Sequence, residues 1–96
     1  MLNANGVSSN EFVEYLGRPV VRHDDEIYYG DLSDKFYVFM MIMNYKKVND
    51  EKGEIPDKIM IQLLNSETKG IEKQSMVNGL AEAFEFANAW LSRKNI

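Results

Sequence analysis

The chain has 96 residues, 15 acidic and 11 basic side chains, and a formal charge of −4. This length suits one domain, which buries roughly 65% of the surface its unfolded chain exposes; apolar residues at 45% and charged residues at 27% are those of a compact, soluble protein. Cysteine is absent, which excludes disulfides, thiolate zinc sites, CxxC redox pairs and cysteine nucleophiles.

No stretch approaches the roughly 18 apolar residues of a membrane-spanning helix. The acidic balance weighs against general nucleic-acid binding, which needs clustered Lys and Arg at phosphates. The start, MLNANGVSSNEF, lacks the basic segment and apolar run of a secretory signal. A cytoplasmic location is the expectation.

Residues 1–7 are small and polar and read as a flexible tail, with a single α+β domain over 8–96. Ser8 or Ser9 can cap a short N-terminal helix through Glu11–Leu16, stopped by Gly17. Pro19 then forces an extended path. Val20-Val21-Arg22 and Glu26-Ile27-Tyr28-Tyr29 read as a hairpin around His23-Asp24-Asp25, and residues 30–34 as a second turn.

Residues 36–43, FYVFMMIM, are apolar throughout and rich in aromatic and β-branched types. Eight residues make an ordinary strand and a short helix. A long polar hairpin loop over 49–54 follows, and Ile59–Leu64 returns as the partner strand. After a turn at 65–70, Ile71–Val77 is a weaker strand.

The last segment has helical period. Leu80, Ala83, Phe84, Ala87 and Leu91 fall on one face, with Phe84, Ala87 and Leu91 expected in the core. Arg93 and Lys94 end the helix where cations complement its dipole. Phe86 and Trp90 lie on its shoulder. The expected architecture is an antiparallel β-meander of four or five strands closed by a C-terminal amphipathic helix.

Catalytic motifs are hard to find. His23 is the only histidine, and a lone histidine in a charged turn has no nucleophile or second ligand beside it. No serine stands in a GxSxG setting, and no glycine-rich phosphate loop occurs. Residues 24–34, DDEIYYGDLSD, hold five acids, but Gly30, Gly53 and Gly70 each fail as the central glycine of an EF-hand. The run reads as a solvated hairpin tip. The chain is therefore read as non-enzymatic, without metal or cofactor.

Lys35-Phe36-Tyr37-Val38-Phe39 offers aromatics that could stack on bases, and Lys46, Lys47 and Lys58 could supply a small basic patch. The same lysines also suit the ends of a very apolar strand pair, where charge discourages edge pairing.

The central hairpin carries the clearest signal. Side chains alternate between faces along a strand, yet both faces of residues 36–43 are apolar. The pairing that best segregates polarity joins Tyr37, Phe39, Met41, Met43 and Tyr45 with Ile59, Ile61 and Leu63 beneath the helix. The other face then holds Phe36, Val38, Met40, Ile42, Met60 and Leu64, with Asn44, Gln62 and Lys46 toward one end, and the six apolar residues are the candidate interface. A one-residue slip would exchange the partner sets. The functional expectation is a protein-protein interaction module, a homodimer using that apolar face. An apolar or small-molecule ligand on the same face is the first alternative, and a single-stranded nucleic acid the second.

Overall fold

The computed structural model describes residues 13–47 and 53–94. It is an antiparallel meander with one C-terminal helix, as the sequence pattern implies. The main sheet has six strands in the order β1 (Val13–Tyr15), β2 (Arg18–His23), β3 (Glu26–Tyr29), β4 (Phe36–Ile42), β7 (Lys58–Asn65) and β8 (Ile71–Asn78). A separate two-stranded ribbon, β5 (Tyr45–Lys47) with β6 (Glu54–Pro56), extends from the β4–β7 hairpin. Helix α1 (Leu80–Lys94) lies against β4, β7 and β8.

Part of the expected N-terminal helix is corrected. Val13–Tyr15 forms β1, and Leu16 and Gly17 make the two-residue turn into β2 with φ of 53° and 82°. Two adjacent positive φ values give the hairpin turn whose twist matches its strands, and a helix cannot pass through them. The capping serines, Glu11, Phe12 and the proposed tail fall outside the described residues, as does most of the 49–54 loop.

Burial along β4 and β7 alternates strictly. Val38 pairs with Leu63, Met40 with Ile61 and Ile42 with Ile59. These side chains point toward the helix and form the core with Ile27, Tyr29, Val77, Ala83, Ala87 and Leu91. The small alanines let the helix approach the sheet, and Leu91 fills the space between them. Phe84 is half-buried, not fully in the core as its period implied. It packs at the edge against the rings of Tyr15 and Tyr29, with centroids 5.1 and 5.3 Å away.

The helix start is fixed from two directions. Gly79, with φ of 87°, accepts the first helical bond from the Ala83 N–H and donates its own N–H to the Asp57 carbonyl at 2.7 Å. The Glu82 carboxylate accepts the Asn78 N–H at 2.9 Å, placing negative charge in the first turn. On the far shoulder, Arg18 donates to the Asn88 side-chain oxygen at 2.5 Å. The Tyr29 hydroxyl donates to the Tyr15 carbonyl at 3.0 Å. Burial pushes the Tyr29 hydroxyl's pKa up, partly opposed by Arg18.

If Leu91 closes the core as described, Leu91→Ala should cost about 2–5 kcal/mol. Glu85→Ala, on the exposed side, should change stability by less than about 0.5 kcal/mol. Urea unfolding of both variants checks the helix phase.

Candidate functional site

The face of the sheet away from the helix is assembled by the pairing register. One row across it runs His23, Glu26, Met41, Met60, Met76. The next runs Val21, Tyr28, Phe39, Gln62, Gln74. At the far end Tyr37 lies beside Leu64 and Ile71. Tyr28 contacts both Phe39 and Tyr37, with ring centroids 5.2 and 6.5 Å apart. The polar members bind each other: Gln62 donates to the Gln74 side-chain oxygen at 2.7 Å. Val21, Ile71 and Met76 are exposed, whereas Tyr28, Tyr37, Phe39, Met41, Met60 and Leu64 are half-buried by their neighbours within the sheet. The one helix among the described residues is on the opposite face.

Four of the six candidate interface residues are therefore misplaced by the sequence reading. Phe36, Val38, Met40 and Ile42 lie beneath the helix, with Val38 and Met40 fully buried. Met60 and Leu64 are on the open face, where they meet Tyr37, Phe39 and Met41 instead. The physical cause is where the strand ends. Asn44 and Lys46 made one side of β4 look polar, but β4 stops at Ile42. Asn44 sits in the bend, its side-chain oxygen accepting the Lys58 N–H at 2.9 Å. Lys46 belongs to the ribbon. Counted over residues 36–42 alone, both sides of β4 are equally apolar, and polarity cannot set the register.

The other candidates are scattered. The acidic run does not converge: Asp24 and Asp25 turn at one end of β3, while Asp31 and Asp34 lie beyond its other end. Among the described residues no group of three His, Asp or Glu side chains is placed to hold a metal ion. His23 is exposed at the end of β2, beside a shallow depression it shares with Asp24, Asp25, Glu26 and Met41. Lys46 and Lys47 are on the ribbon, while Lys58 begins β7.

Sequence reasoning missed the tether between the ribbon and the β2–β3 turn. The Tyr45 hydroxyl donates to an Asp25 carboxylate oxygen at 2.6 Å and accepts from Arg22 at 3.1 Å. The bond to Asp25 is the main reason that the Tyr45 pKa is raised, because ionising the hydroxyl would set two negative charges together. A raised folded pKa means that the tether's contribution is present below the tyrosine's unfolded pKa and lost as pH rises through the folded one.

No family model, curated protein or solved structure matches this chain.

The tether predicts a spectroscopic effect. Asp25→Asn should lower the alkaline midpoint of Tyr45 ionisation toward the ordinary tyrosine value, and ultraviolet titration against a Tyr45→Phe control would read it.

Proposed function

We propose that this protein is a non-catalytic interaction module that pairs with a second copy of itself through the open face of the sheet. The observation that carries the reading is the continuous surface built by Tyr28, Tyr37 and Phe39 with Met41, Met60 and Leu64, opposite the helix. Large apolar patches on soluble proteins tend to mark interfaces, and aromatic residues and Met are enriched in them.

Three features favour a second copy. The face is large enough: central strands of seven or eight residues and six strand positions give roughly 600 Å² in plan at standard strand spacings. Ridged side chains raise the accessible area above that, toward the ~800 Å² per partner of a specific interface. The middle of the face is free of ionised groups, since Glu26 and Lys58 stand toward one end. Two copies, each at −4, can meet there without placing like charges in contact. The sheet edges, by contrast, discourage pairing. β1 has three residues. β8 carries an irregularity opposite Leu63/Leu64, with Glu72 and Lys73 beside it. Short, bulged and charged edges are the usual protection against strand addition.

A single-stranded nucleic acid would stack on the same rings, but Lys58 and His23 are the face's basic side chains, too few to follow a phosphate backbone. The module is proposed to work in the cytoplasm; without cysteine it needs no oxidising compartment to fold. No helix among the described residues is long and apolar enough to cross a membrane.

Sedimentation equilibrium at micromolar concentration should give twice the 11.1 kDa chain mass. Met41→Lys should give a folded monomer, because a buried unpaired ammonium would oppose association. Phe86→Ser, on the helix shoulder, should leave the mass doubled. A monomeric wild type, or a Met41→Lys variant that remains dimeric, contradicts the reading.

A further inference from the structure

One corner of the open face is concave. Gly30 follows β3 with φ of 108°, and a Cβ there would meet Leu91 Cδ1 at 3.1 Å on the helix side, so the chain passes close under the core at this point. On the opposite, open side a cavity of about 330 Å³ is lined by Pro19, Val21, Tyr28, Gly30, Asp31 and Leu32. That volume lies at the lower end of the range for small-molecule sites, which combine apolar walls with a few polar groups.

The polar group is the Asp31 carboxylate, and its two oxygens differ. Oδ1 accepts both the Ser33 N–H at 2.9 Å and the Ser33 hydroxyl at 2.7 Å. Oδ2 has no hydrogen-bond partner among the described residues. The two bonds to Ser33 favour the ionised form and orient the group. Asp34 adds a second acid to the same loop. The nearest base in sequence, Lys35, places its ammonium 5.8 Å from the centroid of the Phe36 ring. Phe36 belongs to the core beneath the helix, on the other side of the sheet from the cavity.

We propose that this corner is a binding site for a small hydrophobic cation, an aryl- or alkylammonium whose apolar body lies against Pro19, Val21, Leu32 and the Tyr28 ring while its ammonium meets Asp31. The free Oδ2 accepts the ammonium's hydrogen bond, and an aromatic face nearby adds a cation–π attraction. An anionic ligand of the same shape would face the charges of Asp31 and Asp34. This site shares Tyr28 and Val21 with the face proposed to pair, so a second copy would compete with the ligand there, and the Met41→Lys monomer isolates the site.

The test is an NMR amide titration of the full chain with three probes of similar shape: phenethylammonium, phenethyl alcohol and phenylpropionate. It is run on the wild type and on Met41→Lys, so that a failure of the site is distinguished from a failure of the association reading. The ammonium should shift the Val21, Tyr28, Asp31 and Leu32 signals in the Met41→Lys monomer, and less strongly in the wild type, whose second copy competes for the same face. It should bind about 1.5-fold to fivefold more tightly than the alcohol, the range expected of one exposed charge contact. The carboxylate should produce no shifts at that corner. Asp31→Asn, at an exposed position that tolerates change, should reduce the ammonium to the alcohol's affinity while leaving alcohol binding unaltered. The proposal is overturned if no probe shifts these residues, if the ammonium and the carboxylate bind equally, or if Asp31→Asn leaves the ammonium's advantage intact.

Discussion

One helix can cover one face of a sheet. Every feature of this protein follows from setting that limit against a six-stranded sheet whose central strands are apolar on both sides. Helix α1 buries the side built from Val38, Met40, Ile61 and Leu63. The same strands present Tyr37, Phe39, Met41 and Met60 to the other side. A sheet with one solvated face ordinarily alternates apolar with polar residues. Here the polar half of the alternation is missing from β4. Among the described residues, the hydrophobic effect that stabilises the core is therefore only partly satisfied on this second side.

Much of the structure fixes which face the helix takes. Gly79 and Glu82 set where the helix begins, and Asp57 holds that corner to the base of the ribbon. Phe84 and Asn88 reach from one shoulder toward β1, β2 and β3. Trp90, on the opposite shoulder, lies 5.9 Å from the Lys73 ammonium of β8. Contacts on both shoulders hold the helix axis over β4 and β7. The ribbon is tied at the opposite end of β2 through Arg22, Asp25 and Tyr45.

The fold was legible in the sequence wherever period and punctuation agreed. The C-terminal helix has Leu80, Ala83, Ala87 and Leu91 in helical phase and Gly79 at its start, and it forms where that pattern places it. The apolar runs at 36–43 and 59–64 stand out by composition and become β4 and β7, and Pro19 and the acidic turn delimit the first hairpin. β1 was not legible, because Glu11 to Leu16 fits a short helix as well as a strand, and the turn requires Leu16, as well as Gly17, to take a positive φ. The face assignment was not legible for a different reason. Period two shows which residues share a side of one strand, but pairing between two doubly apolar strands has no polar mismatch to penalise a slip. Asn44 supplied a misleading cue, because it is a bend residue that satisfies the Lys58 amide. The cavity beside Gly30 was equally hidden, since it arises where β3 ends and the chain passes close beneath Leu91.

Adjacent methionines of β4 belong to different environments, Met40 to the core and Met41 to the open surface that we propose a second copy covers. Peroxide oxidation read residue by residue by mass spectrometry tests this directly. In dilute protein Met41, Met60 and Met76 should oxidise readily while Met40 stays protected. Raising the concentration should then protect Met41 and Met60 but leave Met43, exposed at the bend, as reactive as before. Equal oxidation of Met40 and Met41 would contradict the face assignment. Protection of Met41 that does not depend on concentration would contradict the open face.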